Sequence, residues 1–372
     1  MVLAQSCGLT TVAYTVARLL GKKEGTTRQQ LREWCYDKAD KRSRHRQDWD
    51  VTTCFGPLLA WVLTWWDPAE RRLALAMDAT TLGQRFTVLV ISVVYRGCAI
   101  PVAWRVVAAT EKGEWRPHWE ALFTSLQGTV PPDWSVLVCA DRGLYARWLY
   151  RHIASLGWHP FLRINQGGLF RVQGHVRWRS LATTAPQPGQ GWRGAVTCFK
   201  TQPLACTLVA RWDAPHEEAW LIVTDLALEV ADACWYALRA WIECGFKDTK
   251  SGGWHWDQIK MTDPDRAQRL WLAIAVATLW VLSAGSREAE CAAASGLPAL
   301  PPCPVGGTTP TRRSRPRLLS IFRRGLLTIV VALLKGEGVV VGQLRPQSWP
   351  RGTPIQTVTL RDDHEPLVHL AA

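Results

Sequence analysis

The sequence predicts an α/β fold in which a mixed sheet is flanked by helices, and three observations lead to this prediction. The first 66 residues carry the apolar spacing of helices. Short apolar runs of strand type then alternate with helical stretches, and two of these runs end at an aspartate. Residues 165–225 consist of strand-type runs separated by Gly and Pro. We therefore expect a helical N-terminal region and an α/β core that is interrupted by a strand-rich insertion.

The N-terminal region, residues 1–66, contains a basic segment from Lys38 to Arg46. Asp37 precedes this segment and Asp40 interrupts it. A charge run of this kind is typical both of a solvated helix face and of a contact to a polyanion, and both interpretations stay open. Residues 1–21 indicate a short helix with Thr and Arg rather than a charged and then apolar signal segment.

The composition restricts the class of protein and of partner. A chain of 372 residues with 48% hydrophobic content can bury a sizeable core in two or three structural units. There are 44 Lys and Arg residues against 31 Asp and Glu residues, which gives a net charge of +13. This excess favours a polyanion as the partner, although it would also suit an anionic membrane surface, and composition alone does not choose between them.

Cysteine usage and hydropathy point to the cytoplasm and away from a membrane. The 11 cysteines form no C-x-x-C pair and are odd in number, so neither a zinc knuckle nor a disulfide framework is indicated. The longest uncharged run, Leu270 to Ser286, lies at the lower limit of a membrane span. It follows a helix start at Asp263 to Asp265, and we predict a buried helix.

The core, residues 67–288, is predicted to begin with an antiparallel meander of three strands, and a fourth strand returns beside the first. The predicted strands are Leu73–Asp78, Gln84–Tyr95, Cys98–Val107, Val136–Asp141 and Pro160–Ile164, with helices at Trp119–Leu126 and Gly143–Gly157. Asp78 and Asp141 each close an apolar run and should lie at strand ends. Because the fourth strand lies beside the first, the two carboxylates should be close together.

A later segment, Trp235 to Gly252, is predicted to form one basic helix with four polar residues on one stripe. Tyr236, Arg239, Glu243 and Lys250 follow the spacing Y-x2-R-x3-E-x6-K. At about 100° per residue, the last three lie at roughly 300°, 340° and 320° from the tyrosine. A metal on the glutamate would bind a scissile phosphate while Arg and Lys bind its neighbours. The alternative is the polar side of an ordinary amphipathic helix.

The order of strand Asp, strand Asp and helix Glu matches the acidic triad of the RNase H-like fold. Together with the Y-R-E-K spacing, it resembles the DDE-class bacterial insertion-sequence transposases of the cut-and-paste type, over about residues 31–280. The resemblance implies an RNase H-like core and a DNA transposase that acts on double-stranded transposon ends and target DNA. It also implies excision through hairpins, a homodimer in the synaptic complex, and a bacterial cytoplasmic protein at the nucleoid.

Three carboxylates brought together would repel one another, and shared divalent cations remove that cost. Asp78, Asp141 and Glu243 offer hard oxygen ligands, which favour Mg²⁺, with Mn²⁺ as a substitute. Two such ions would activate a water and stabilise the leaving 3′ oxygen. With a 3′-OH in place of water, the same site would join that end to target DNA. In this interpretation, Arg239, Lys250 and Tyr236 contact DNA and bind no metal.

Residues 165–225 are predicted to be the strand-rich insertion between the second Asp and the Glu. In the resembled family such an insertion presents a tryptophan that stacks on a base flipped from the transposon end. Trp220 occupies the matching position, just before the signature segment. The alternative is that Trp220 only begins a buried strand.

The C-terminal part is predicted to contain a linker and a basic region. Residues 289–310 are rich in Ala, Pro and Gly, which is typical of a linker. Residues 311–372 follow, and the run from Arg312 to Arg324 holds six arginines and no acid. It would suit a DNA backbone contact or a basic disordered tail, and the region could also dock a second subunit.

Two other functions fit the same residues. One is a catalytically silent, transposon-derived DNA-binding protein or repressor, against which the intact acids argue. The other is a metal-dependent nuclease without strand transfer, which would use every proposed catalytic residue.

Overall fold

The computed structural model describes residues 1–42, 46–111, 115–294 and 319–360. Within them the helices are α1 (Leu9–Leu20), α2 (Glu24–Cys35), α3 (Phe55–Trp65), α4 (Arg116–Leu126), α5 (Arg147–Ser155), α6 (Trp241–Lys247), α7 (Pro264–Ala294) and α8 (Ile321–Leu334). The strands are β1 (Arg72–Leu82), β2 (Phe86–Tyr95), β3 (Cys98–Ala108), β4 (Ser135–Ala140), β5 (His159–Arg163), β6 (Leu169–Val172), β7 (Arg179–Ser180), β8 (Gln190–Cys198), β9 (Leu204–Arg211), β10 (Trp220–Thr224) and β11 (Gln356–Thr357).

The first three strands form the predicted antiparallel meander. β1 pairs with β2, and β2 pairs with β3 up to the facing residues Tyr95 and Cys98. The two residues between them, Arg96 and Gly97, have φ angles of 46° and 82°. Positive φ at both central residues matches the right-handed twist of the flanking strands, which is why this short turn closes the hairpin.

Two parallel strands extend the meander into a mixed sheet. β4 pairs with β1 and β5 pairs with β4, both in parallel, and α4 and α5 lie in the connections. The order β3-β2-β1-β4-β5 is that of a mixed α/β sheet flanked by helices, consistent with the RNase H-like prediction. Parallel neighbours need long crossovers, and here helices provide them.

The strand-rich insertion continues the core sheet. β10 pairs with β5, and β9, β8, β6 and β7 follow in that order, so the described strands form one 11-stranded sheet. An unpaired β5 would leave backbone N–H and C=O groups exposed at a sheet edge. β10 covers that edge, and the insertion is therefore part of the same sheet rather than a separate unit.

The two faces of the sheet carry different layers. Leu73, Leu75 and Met77 of β1 pack in the larger core with α3, α4 and α7. Ala74 and Ala76 point to the opposite face, where α6 lies. These side chains are small, and a Cβ added at Gly245 of α6 would be only 2.7 Å from the Cβ of Ala99. Small residues thus let α6 lie directly on β1 and β3.

The N-terminal helices are joined to the core rather than separated from it. Phe55 of α3 packs against Trp104 with ring centroids 4.5 Å apart. Arg269 of α7 donates to the carbonyl of Cys35 at 2.8 Å and binds the carboxylate of Asp37. The helical prediction for residues 1–66 agrees with α1 to α3. The basic segment continues beyond these contacts, and its residues 43–45 lie outside the described residues.

The predicted buried helix is α7, which is longer than expected. In the part of the chain that the structure describes, it is the one helix long and apolar enough to span a membrane by length and composition. In its most apolar stretch, 78% is buried inside the protein. α8 crosses it very closely. A Cβ at Gly325 would lie 1.7 Å from the carbonyl oxygen of Val281, and one at Gly285 would lie 2.1 Å from that of Ile321.

The C-terminal region packs on the core. α7 includes residues 289–294, so the segment predicted to be a linker begins as helix, and residues 295–318 lie outside the described residues together with the first arginines of the basic run. Beyond α8, the Arg345 N–H donates to the Tyr95 hydroxyl at 2.9 Å. Trp349 packs against Trp235 at 4.9 Å, and β11 pairs with β8. Arg324 forms an ion pair with Glu288 at 2.9 Å.

Candidate active site

Asp78 and Asp141 lie side by side on neighbouring strands. Asp78 pairs with Val90 of β2 and lies inside β1, so the prediction that it ends a strand is wrong. On the other side of β1, the last residues that face each other in the pairing with β4 are Ala76 and Cys139. Both aspartates lie two residues beyond that pair, at the point where β4 stops. Asp141 directly follows β4, as predicted.

Backbone N–H groups fix one oxygen of each aspartate. The Ala79 N–H donates to Asp78 Oδ1 at 2.8 Å. Asp141 Oδ1 accepts from the N–H groups of Gly143 and Leu144 at 2.9 and 3.1 Å. These bonds orient both carboxylates, and each Oδ2 remains available to a cation.

The segment predicted to be one helix has three parts. Residues 233–240 form a 3₁₀ helix, α6 follows, and residues 248–252 form a π-type turn. Tyr236 and Arg239 are three residues apart, which is one 3₁₀ turn, and Arg239 and Glu243 are four apart, which is about one α turn. Arg239 and Glu243 are in contact. Lys250 has φ −81° and ψ −123°, so the helix ends before it and the four-residue stripe is wrong there.

One guanidinium bridges the three predicted carboxylates. Nη2 of Arg239 is 2.7 Å from Asp78 Oδ2 and 3.4 Å from Asp141 Oδ2, and its Nη1 contacts Glu243. The structure therefore brings Asp78, Asp141 and Glu243 to one point. The prediction gave Arg239 only the role of a phosphate contact, whereas here it is the counter-ion of the acids.

The charges at this point oppose one another. Burial raises the pKa of the Asp78 carboxyl most strongly, and the neighbouring carboxylates Asp141 and Glu243 raise it further, while Arg239 and the N–H of Ala79 lower it. The net result is a pKa above the usual value of an aspartate. The arrangement thus favours a cation among the acids, because positive charge offsets both burial and mutual repulsion.

The donor set fits a divalent metal, although the present side-chain positions do not yet form a metal-binding group. Among the described residues no three His, Cys, Asp or Glu side chains are close enough to hold an ion. Arg239 lies among the oxygens and pairs with Glu243, whose side chain is 60% exposed. The oxygens at this point are carboxylate oxygens, the hard donors that Mg²⁺ and Mn²⁺ prefer.

Tyr236 and Trp220 pack against each other beside the acids. The Tyr236 side chain is buried, and burial chiefly raises its pKa to about 12, so the phenol stays protonated at neutral pH. The Trp220 ring meets it edge to face at 5.2 Å and lies 4.3 Å from the His216 ring. Trp220 begins the strand β10 and is 8% exposed. This position agrees with the alternative prediction, in which Trp220 begins a buried strand.

Lys250 is not among the cations that the structure pairs with the carboxylates in the described residues. It is half-buried, and burial lowers its pKa, partly opposed by Asp257. No ion pair joins it to Asp78, Asp141 or Glu243 within the described ranges. Its expected contact with DNA stays a prediction.

A second charged cluster next to the site was missed. Arg142, directly after Asp141, binds Glu218 at 2.6 Å, and Arg163 binds the same glutamate at 2.7 Å. The Arg163 guanidinium also lies 6.0 Å from the centre of the Tyr236 ring. Arg142 could have been noticed from its place in the D-R-G turn, but Arg163 and Glu218 come from distant positions that only the sheet pairing brings together.

Comparison with known proteins finds similarity to a family model and to solved structures. The family model of the transposase DDE domain matches residues 73–280, a range that includes the three carboxylates and Arg239. No curated protein sequence matches the chain. The cryo-EM structure of the piggyBac transposase synaptic complex with hairpin DNA has a TM-score of 0.37 and 9% identity, over 61% of this chain and 49% of that chain. The chain thus spans about half the length of that transposase.

Proposed function

The chain belongs to the family of the transposase DDE domain, and on that premise we propose that it is a DNA transposase of an insertion sequence. It cleaves phosphodiester bonds at the ends of the element and joins the 3′-OH ends to target DNA. The observation that supports this proposal most strongly is the convergence of Asp78, Asp141 and Glu243 on the single guanidinium of Arg239. Carboxylates from two strands and a helix share one cation there.

Asp78, Asp141 and Glu243 are the proposed ligands of two divalent ions, Mg²⁺ with Mn²⁺ as a substitute. The backbone bonds to Oδ1 of both aspartates support this assignment, since they turn each Oδ2 towards the shared cation. When bound, such ions lower the pKa of a water and stabilise negative charge on the leaving oxygen. No covalent link between enzyme and DNA is required.

The residues around the acids contact DNA in this proposal. Arg239 leaves the carboxylates and binds a phosphate with its planar pair of donors. Tyr236 stays neutral and can donate its hydroxyl hydrogen, and Lys250 contacts the backbone further along. Trp220 would receive a flipped base only after its ring separates from His216, because the two rings are in contact now.

One site serves hydrolysis and strand transfer, since a water and a 3′-OH attack the same kind of phosphorus. The partners are double-stranded transposon ends and target DNA, and we assign a homodimer to the synaptic complex. Residues 1–66 are proposed to contact the DNA end. Residues 311–372 are proposed to contact DNA or the second subunit, although Arg324 already pairs with Glu288.

Joining of a supplied end tests the function. A short duplex that ends in a recessed or flush 3′-OH is incubated with the protein, Mg²⁺ and a supercoiled plasmid, and covalent products are counted. Joined products are expected with Mg²⁺ and absent with EDTA. The matched control carries a 3′-deoxy end, which binds but cannot attack. Cleavage without joining would show a nuclease instead, and DNA binding with neither reaction would show a catalytically silent DNA-binding protein.

A further inference from the structure

A basic groove is lined by none of the residues of the acidic site. It has a volume of about 790 Å³ and is formed by the start of α4, one face of α5 and the turn between β8 and β9. Arg116, Arg147 and Arg151 line it together with a single acid, Glu120. Arg151 is exposed and forms no ion pair within the described part of the chain. The lining therefore carries an excess of positive charge.

Two of these arginines are held in place by aromatic rings. The Arg116 guanidinium lies 5.3 Å from the centre of the Trp148 ring, and that of Arg147 lies 4.8 Å from the centre of the Phe199 ring. An arginine that stacks with its flat face can still use its N–H edge, and that edge matches the oxygens of a phosphate. Arg116 Nε already donates to Glu120 at 2.8 Å and Arg147 Nη1 donates to Gln202 at 3.3 Å, so their other donors are the ones left for a ligand. The groove thus presents arginines that are ordered before any anion binds.

The groove also contains donors without acceptors. Arg147 Nε is buried and has no hydrogen-bond partner among the described residues. α5 begins at the groove after Ala146, which provides no side-chain cap for the first N–H groups. A buried donor without a partner is energetically unfavourable. These groups favour a ligand rich in acceptors and in negative charge.

A second basic cavity, of about 700 Å³, fits such a ligand less well. It is lined by Arg72 and Arg211 among others, but Arg72 already binds Glu70 at 2.9 Å and Arg211 binds Asp213 at 2.6 Å. The C-terminal segment around Gly352 also lies against Arg211 there. Both of these arginines are paired with acids of the chain. Of the three arginines in the groove at α5, Arg116 alone is paired with an acid among the described residues, with Glu120 at 2.8 Å, so that groove is the stronger candidate.

The groove lies close to the acids along the chain. Arg147 is six residues after Asp141, and six extended residues span at most about 20 Å. B-form DNA rises 3.4 Å per base pair, so this distance corresponds to about six base pairs or fewer. A duplex with one phosphate at the acids could therefore reach the groove with a phosphate of the same helical turn.

We propose that this groove binds the phosphate backbone of duplex DNA within about six base pairs of the phosphate at the acidic site. The inference rests on the proposed function, because only a DNA-cutting protein would place a scissile phosphate at Asp78 and Asp141. It extends that function by a binding surface that positions the duplex and reads no base, since arginine contacts to phosphates carry no sequence information.

The test measures the salt dependence of binding to an unrelated 30-base-pair duplex in EDTA, so that no cleavage takes place. Arg151→Gln and Arg147→Gln are each expected to make the slope of log affinity against log salt less negative by about 0.9, and to weaken binding about eightfold at 0.1 M salt relative to 1 M. The matched control is Arg71→Gln, which removes one exposed charge directly before β1, at a residue that does not line the groove. Its slope should equal that of the wild type.

A second measurement uses the wild-type protein, so the proposal can still be tested if a variant fails to fold. In the wild-type protein, amide hydrogen exchange of residues 146–152 should slow when duplex is added. Slopes equal to that of Arg71→Gln, or unchanged exchange at these residues with bound DNA, would overturn the proposal. The proposed function fails separately: wild-type protein that binds DNA through the groove but shows no Mg²⁺-dependent cleavage or joining would remove that function and leave the groove as a general DNA-binding surface.

Discussion

Replacement of Arg239 by glutamine should show that the guanidinium and a divalent metal compete for the same carboxylates. The variant keeps much of the side-chain volume and removes the charge. The side chains of Arg239 and Asp78 are 13% and 16% exposed, so their ion pair is largely shielded from water. Asp141 and Glu243 are 35% and 60% exposed, and their contacts with Arg239 contribute little.

The size of the effect follows from that burial. Loss of one partner of a buried ion pair costs about 3–5 kcal/mol, and we take the lower value because water reaches the site from the side of Glu243. At about 2–4 °C per kcal/mol, the Tm of metal-free Arg239→Gln should fall by about 6–12 °C. The same 3 kcal/mol no longer opposes a metal, so Mn²⁺ should bind the variant up to about a hundredfold more tightly than the wild type.

Thermal unfolding with and without Mn²⁺, together with Mn²⁺ titration followed by electron paramagnetic resonance, measures both effects without DNA. Arg211→Gln is the matched control, because Arg211 is also buried and paired, to Asp213, but lies away from the acids. It should lose stability to a similar degree and recover none of it with Mn²⁺. If Mn²⁺ bound Arg239→Gln no more tightly than the wild type, the guanidinium and the metal would not share a site.

Two further substitutions probe other residues. Burial raises the pKa of the Asp248 carboxyl to about 7, so the folded state keeps a proton that the unfolded state releases above pH of about 4. Stability should therefore fall as pH rises from about 4 to 7. Asp248→Asn should remove up to about 3 kcal/mol of the fall between pH 5 and pH 8, measured by denaturant unfolding at these two pH values; identical profiles would contradict this. Trp220→Ala should lower the Tm, since the side chain is 8% exposed. If Trp220 also receives a flipped base, an end with an abasic site at that position should restore hairpin closure, and no rescue would limit Trp220 to packing.

The sequence was most informative where local pattern decides structure. The meander could be predicted because β1, β2 and β3 are apolar runs separated by turn residues, and Arg96-Gly97 closes a two-residue turn. The place of Asp141 after β4 was predicted for the same reason. The apolar run ends at Asp78, which predicts a strand end there. β1 nevertheless continues past Asp78, because it stays paired with β2 after its pairing with β4 has ended.

Tertiary contacts explain what could not be predicted. The signature segment changes from a 3₁₀ helix to α6 and then to a π-type turn, although its residues allow one continuous helix. α6 lies against β3 through Gly245 and Ala99, and that contact involves distant parts of the chain. The bridging position of Arg239 depends on the same packing. Residue spacing could place Arg239 near Glu243 but not near both aspartates.

In the proposed function, Asp78, Asp141 and Glu243 together support metal-dependent cleavage of DNA. The most direct measurement is the rate of Mg²⁺-dependent nicking of a duplex that carries the element's ends, for Asp78→Asn, Asp141→Asn and Glu243→Gln. Asp133→Asn is the control, since Asp133 is an exposed acid paired with Arg71. We expect the three variants to bind the duplex and cut it below detection, and Asp133→Asn to cut at the wild-type rate. Cleavage at the wild-type rate by any of the three would contradict the claim.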